Sequence, residues 1–501
     1  MNQARRTARR GAVLFSLLLV AAACGSDDDG GGAADTTAAP AGSEAPAETS
    51  APAETGGETT AASGEAPAGE LADDARDGQG AVAFEAAVNA TADAPLVAEG
   101  EPFVLAMPNL EGDAGGTFPD VREGAEAAVK LINEQLGGIG ADYEAGTPGR
   151  PIELQVCSHL LTPEEAQRCA NEIVGADPNL IQIGIDFFTQ AMYPIFQGIP
   201  TLQTLPIFVA DFDQAGVYSG IGGCPTAFIS AAQFMAEFQK FDKLAIPYAN
   251  NAPGNQCWTD TQERFYQYYA DQGVWEFEGF PDEPGDPSDN AALIQNVADF
   301  LEGAENPGVF FGVQSSDCVE FLKGLSAAGV DAGIVVSTAC VDDTVLGLPE
   351  SEGMFVELQG YNVADPAALT DFATFELGVR EDALAAYGPE AAVSTFMNDS
   401  FSTVIWGWQL ANQVMADGGD PFDQATFAEA LASLGTYHFL GRPPVDCAGA
   451  PEEYQSICYR DATYLQWNGS EYTTDTPLGT DYINVTELME KVAESSPRQA
   501  S

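Results

Sequence analysis

The chain predicts an α/β fold of two Rossmann-like lobes, each a parallel sheet wrapped by helices. Two observations carry this. About 400 residues follow residue 98, too many for one ordinary core, so two lobes are expected. Within them, short apolar runs alternate with amphipathic stretches of helical length, the rhythm of βαβ units and parallel sheets.

Taken in order, residues 103–107 read as a strand, and a glycine-rich loop follows. Val121, Ala125, Ala128, Val129, Ile132 and Leu136 then fall on one helical face. Residues 152–157 form a strand, and Thr162-Pro163-Glu164-Glu165 has the composition of a capped helix start, with proline and acids in the first turn. A helix over 163–174 and a strand over 180–185 complete the first series. The second runs through strands at 243–248, 274–277, 308–312 and 333–337, with helices at 259–270, 290–301 and 316–328 between them. Longer helices near 366–386 and 394–416 precede short strands around 462–467. No internal repeat stands out.

The front of the chain reads as an export signal. Arg5, Arg6, Arg9 and Arg10 precede a 13-residue apolar stretch, residues 11–23, too short to span a bilayer as a mature helix. It ends in Ala21-Ala22-Ala23-Cys24, which resembles a bacterial lipobox, so residues 1–23 are expected to be removed and Cys24 acylated. The paired arginines leave both general and twin-arginine export open. From residue 24 to 98 the composition falls to Ala, Gly, Pro, Thr, Ser and Glu, too apolar-poor to offset the entropy of ordering, so a disordered acidic linker is expected.

Across 501 residues there are 76 acids and 18 bases, a net charge of −58. Beyond residue 98 there are 61 acids and 13 bases, so the lobes themselves repel nucleic acid and anionic lipid. Only five lysines occur: Lys130, Lys240, Lys243, Lys323 and Lys491. Such a surface fits salty surroundings, where screening blunts self-repulsion, and it fits a compositional habit of the lineage equally well. Metal binding would need clustered Cys or His spacing, and His159 and His438 are the only histidines. GxSxG and HExxH are absent, which weighs against a secreted hydrolase, although paired acids are abundant.

The order of these segments resembles a family. Gly124-Ala125-Glu126-Ala127-Ala128-Val129, Ile132-Asn133-Glu134 and Gly137-Gly138-Ile139-Gly140 are similar to the first helix and exit turn of type I periplasmic binding proteins, the group serving branched-chain amino acid and related ABC transporters. Pro151-Ile152-Glu153-Leu154, Gly198-Ile199-Pro200-Thr201-Leu202, Lys243-Leu244-Ala245-Ile246-Pro247-Tyr248, Asn398-Asp399-Ser400-Phe401 and Leu465-Gln466-Trp467-Asn468-Gly469 match later segments in order. The resemblance implies two lobes joined by a three-crossover hinge, gripping ligand between them. The first lobe would take 101–235 and 360–435, the second 236–359 and 436–485, leaving 486–501 as a tail.

By the same resemblance, Thr189 aligns with a hydroxyl that holds a ligand carboxylate, within Asp186-Phe187-Phe188-Thr189; an N-cap role serves Thr189 as well. Leu205 and Ile207 align with a loop donating backbone N–H groups to that carboxylate, though Pro206 removes one donor. Thr117 lies in a cleft-lining loop, Gln314 and Ser315 resemble a contact loop on the second lobe, and Asp186, Phe188 and Tyr361 complete the candidate ligand residues. Trp258 and Phe187 are further aromatics for which core packing is the default. The acid that would meet a ligand ammonium is missing near Ala339-Cys340, with Asp342 and Asp343 slightly later.

Apart from Cys24 there are eight cysteines, an even number that reads as disulfides outside the cytosol, with roughly a hundred connectivities open. Pairing within single strand–helix or loop units gives Cys157–Cys169, similar to a disulfide of the family, with Cys224–Cys257, Cys318–Cys340 and Cys447–Cys458. The resemblance thus implies a solute receptor for an ABC importer that closes on its ligand without chemistry. It would capture a small polar metabolite, an amino acid or related compound, and meet permease subunits. It would need no cofactor, reach the membrane only through its lipid on the outer face, and act as a monomer. A sensing or surface lipoprotein on the same fold is the alternative.

Overall fold

Strand β1 (Phe103–Leu110) is apolar on both faces, which only a strand at the centre of a helix-covered sheet can satisfy. In the computed structural model, which describes residues 75–112, 116–258, 262–282, 287–312, 315–389 and 394–498, it pairs in parallel with β2 (Ile152–His159) and β3 (Leu180–Ile183). β4 (Thr201–Gln203) and β5 (Val217–Tyr218) extend the sheet, giving the order β2-β1-β3-β4-β5, all parallel. The second sheet repeats the pattern. β6 (Lys243–Ala249), β7 (Glu276–Asp282), β8 (Pro307–Phe311), β9 (Gly333–Val336) and β10 (Phe355–Leu358) lie parallel in the order β7-β6-β8-β9-β10. β11 (Thr436–Tyr437) and β12 (Val445–Asp446) form a separate ribbon. β13 (Asp461–Trp467) then adds antiparallel to β10, with β14 (Tyr472–Thr473) and β15 (Ile483–Asn484) antiparallel to it.

Each sheet has a core on both faces. Alternation along β6 shows why: Leu244 and Ile246 join one core while Ala245 joins the other. The first sheet is covered on one side by helices Pro119–Glu134 and Thr395–Ala416, packed so tightly that a Cβ on Gly124 would stand 2.2 Å from the Met397 carbonyl oxygen. Helices Pro163–Gly175 and Thr189–Phe196 cover the other side. The stripe Val121, Ala125, Ala128, Val129, Ile132 and Leu136 is buried throughout, as its spacing predicts.

The chain crosses between the lobes three times, and the crossings share hydrogen bonds. The Thr226 hydroxyl of the first donates to the Tyr459 carbonyl of the third at 3.1 Å, and Gln359 Nε2 of the second donates to the Gly223 carbonyl at 2.8 Å. A Cβ on Gly222 would sit 2.7 Å from the Tyr459 oxygen, and Gly223 has φ +56° with Pro206 O only 2.3 Å from its Cβ position. Glycine is what lets these segments touch.

All four expected disulfides form: Cys157–Cys169, Cys224–Cys257, Cys318–Cys340 and Cys447–Cys458, with Cα separations of 5.7, 5.7, 5.8 and 4.1 Å. Each closes a short loop, typically contributing about 2–4 kcal/mol.

Two expectations need correction. Within the stretch read as linker, Ala81–Thr91 is a helix with Phe84 and Ala87 in the first core. Its alanines let it approach closely enough for Phe84 to meet Phe375 and Trp408 edge-on. Residues 486–501, read as a tail, begin with the helix Thr486–Ser495, which buries Leu488, Met489 and Val492 in the second lobe. The signal segment, Cys24 and the linker up to residue 74 lie outside the described residues.

Candidate ligand-binding site

In an open parallel sheet the loops at the carboxyl edge diverge where the strand order reverses, leaving a crevice. Both sheets reverse beside their first strand, between β1 and β3 and between β6 and β8. The two carboxyl edges face one another. Val209 N–H, after β4, donates to Gln256 Oε1, after β6, at 3.3 Å, and Cys257 Sγ lies 3.8 Å from the Ile207 oxygen.

On the first lobe, Asn109 organises the edge. Its amide donates to Glu111 Oε1 and to the Phe118 carbonyl at 2.9 and 2.8 Å, and its oxygen accepts from Ile185 N–H at 3.2 Å. Gly184 is required beside it, since a Cβ would stand 2.3 Å from Asn109 Oδ1. Glu111 also accepts from Arg122 Nε at 3.2 Å, and Arg122 Nη1 reaches Glu126 at 2.9 Å. Exposed Thr117 accepts from Gly112 N–H at 3.0 Å, closing the β1 loop.

Asp186 does not open to the cleft as expected. It is 1% exposed, bonded to His159 Nε2, and accepts from Phe188 N–H at 2.6 Å. Burial alone would lower the His159 pKa, but its bond to Asp186 raises it overall. Phe188 packs over the opposite face of the sheet, with Met192 and Phe196 of that core.

Thr189 begins its helix, as its position predicts, but it is 0% exposed. Its hydroxyl lies beside the carboxylate of Asp211 without a well-formed hydrogen bond. That carboxylate accepts from Tyr193 Oη at 2.7 Å, from Ile207 N–H at 2.9 Å and from Phe208 N–H at 2.8 Å. Tyr193 Oη also lies 3.0 Å from Gln203 Oε1. Burial raises the Asp211 pKa against the pull of these donors, and burial beside Asp211 pushes Tyr193 far up. The groups expected at a ligand carboxylate, Thr189 and the Leu205–Ile207 loop, are therefore gathered around a carboxylate of the chain itself. Nothing in the sequence marks out Asp211, which the structure places in the first turn of the short helix Val209–Phe212.

An aromatic row runs along the same edge, and Phe187 is its one member singled out in the sequence. Phe396, Phe118, Phe187 and Phe208 run in sequence with ring centroids 6.0, 5.9 and 5.9 Å apart, and the first three are partly exposed. Such rings offer apolar area and a quadrupolar edge to a solute.

On the second lobe, Asn251 caps the helix Ala252–Cys257, accepting from Gly254 N–H at 2.8 Å. Ser315 opens the helix Ser315–Ala327, and Gln314 lies outside the described residues. Asp342 accepts from Val345 N–H at 2.8 Å as a helix cap. Trp258 is buried in the second-lobe core, its default. Tyr361 is 8% exposed, packs with Phe372 and Ala81, and turns its hydroxyl to Glu376 at the second crossover.

That crossover holds buried charge. Arg442 is bonded to Asp399 and lies over the Phe439 and Tyr459 rings, with Arg380 and Glu376 in the same cluster. Burial pushes the Glu357 carboxyl up to about 7, against the opposing effects of Gln359 and Arg442. His438 meets Glu376 at 2.5 Å and Gln409 at 2.8 Å.

A profile of the periplasmic binding proteins matches residues 108–450. The chain belongs to the periplasmic binding protein family. As a periplasmic binding protein it captures a solute outside the cytoplasm and is not an enzyme. Solved structures similar in fold include a branched-chain amino acid ABC transporter protein from Thermus thermophilus with bound valine. It is 13% identical with a TM-score of 0.61, and the match covers 80% of this chain and 100% of that one. An ABC transporter substrate-binding protein from Aeropyrum pernix is 12% identical, TM-score 0.60, with the same coverage. A solute-binding protein of R. palustris in complex with benzoate is 14% identical, TM-score 0.56, covering 76% and 98%. No curated protein matches the sequence.

Proposed function

We propose that this periplasmic binding protein collects a small organic solute and presents it to the permease of an ABC importer. It would work as a monomer held by lipid on Cys24 to the outer face of the cytoplasmic membrane or to the cell envelope, with the chain before Ala75 as tether. The observation that carries the reading is the pair of reversed-order sheets whose carboxyl edges meet across a seam, joined by three crossings bonded to one another. A joint of that kind rotates as a unit, so binding energy can be spent on closure. The valine and benzoate of the similar structures support a solute of that size. The domain division expected from the resemblance goes with this proposal, with the two corrections made above and with residues 437–447 moved to the first lobe, whose core takes Tyr437, Phe439, Leu440 and Val445.

A thermal-unfolding screen of the protein against a metabolite library tests it. A captured solute at a hundredfold excess over its dissociation constant should add about 2.7 kcal/mol of stability. A hit that is converted to product, or a library that moves the midpoint nowhere, contradicts the reading. Mass spectrometry of the protein from its native membrane should show an acylated cysteine at residue 24, and a soluble mature form starting elsewhere removes the anchor.

A further inference from the structure

We infer that the junction of the lobes is a proton-linked switch, in which Glu357 takes up a proton as the seam closes and gives it up as the seam opens. This rests on the solute-binding reading, which supplies the movement. Glu357 is anchored in the second lobe. Its strand β10 lies between β9 and β13, with Tyr464 as its antiparallel partner. Arg442 is anchored in the first. It is bonded to Asp399 of the helix Thr395–Ala416, and its guanidinium carbon lies 5.3 Å from the centre of the Phe439 ring, in that lobe's core. The two side chains act on one another across the junction, where both are buried.

The groups around Glu357 come from several elements. Gln359 hydrogen-bonds to its carboxyl and donates to the Gly223 carbonyl of the first crossing at 2.8 Å. Tyr459 of the third crossing and Tyr464 of β13 bring phenol groups within electrostatic range. Alternation along β10 sets Glu357 on the face of Phe355, toward the helix Gly223–Gln233, which carries no charged residue. Behind Arg442 stand Asp399, Arg380 and Glu376, all on first-lobe helices. Arg442 favours ionisation of Glu357, and burial opposes it more strongly.

In this structure the seam is joined, with Val209 N–H donating to Gln256 Oε1 at 3.3 Å, and the Glu357 pKa stands at about 7. Turning the lobes apart carries Glu357 with one sheet and Arg442 with the other. Water entering between them restores the solvation that burial denies, so the carboxyl ionises nearer its ordinary value of 4.5. The closed arrangement therefore binds the proton more tightly than the open one. Its advantage is complete below about pH 4.5 and is lost as pH rises through about 7, by up to about tenfold per unit.

Hydrogen exchange at the Val209 amide reads the seam without any solute, since its hydrogen bond runs from one lobe to the other. In the full chain its protection, corrected for the intrinsic exchange rate, should fall about tenfold or more between about pH 5 and about pH 8. The Ile181 amide, bonded to the Pro200 carbonyl at 2.9 Å inside the first sheet, should remain far better protected at every pH, which separates seam opening from unfolding. Glu357→Gln should abolish the fall at Val209, and Glu357→Met takes its place if that variant does not fold. A fall of the same size in the variant overturns the inference, as does flat protection in wild type. Failure of the solute-binding reading would show separately, as a screen that captures no solute while Val209 exchange still follows pH.

Discussion

A single carboxyl at the crossover makes the protein's stability depend on pH. Glu357 is 1% exposed, and burial raises its pKa to about 7 from an ordinary value of 4.5. The folded state then holds a proton that the unfolded chain releases. Its contribution is complete below about 4.5 and is lost as pH rises toward 7, by an amount on the order of 3 kcal/mol. Glu357→Gln should remove this slope, so the difference in unfolding free energy between variant and wild type should grow in the variant's favour from about pH 4.5 to about pH 7.5. Denaturant titrations across that range measure it, and parallel curves would show that Glu357 does not titrate there. Nothing in the sequence signals the effect. Glu357 alternates in a strand like any polar residue, and the groups set against it, Tyr464 of β13 and Arg442, come from far along the chain. Asp211 is illegible in a similar way: the N–H groups of Ile207 and Phe208 are local to it, but Tyr193 reaches it from the helix Thr189–Phe196.

At the scale of elements the sequence is far more readable. Helix Pro119–Glu134 announces itself by spacing, and β6 by an apolar run, because burial of those positions is local in cause. The helix Ala81–Thr91 hides because its alanines and lone Phe84 give little contrast between faces, and it follows a polar, proline-rich stretch. Its weight in the fold can be measured. Phe84 is fully buried against Phe375, Trp408 and His438, so Phe84→Ala should cost about 3–5 kcal/mol in denaturant unfolding. A loss under about 1 kcal/mol would mean that the helix docks only loosely. Thr486–Ser495 is legible in spacing, through Leu488, Met489 and Val492, but its place at the chain's end argues for a tail.

Charge acts on the molecule as a whole. With 61 acids against 13 bases beyond residue 98, the folded lobes concentrate repulsion that the unfolded chain disperses. Salt shortens its reach to a Debye length of about 3 Å at molar concentration. The midpoint of thermal unfolding should therefore climb steadily from dilute buffer to molar sodium chloride. A flat response would show that local pairs such as Arg264–Glu453 and Arg498–Asp213 already neutralise what matters.

The mooring of the N-terminal helix sets how force enters the molecule. Gln79 N–H donates to the Thr436 carbonyl at 3.2 Å, and its own carbonyl accepts from His438 N–H at 3.0 Å, four residues before Arg442. Any pull arriving along the chain from its N-terminus is thus delivered beside the third crossing, close to the axis about which the lobes would turn. A load applied near a pivot exerts little torque. Were the chain held at its N-terminal end, as proposed above, tension would pull on the molecule without prising the lobes apart.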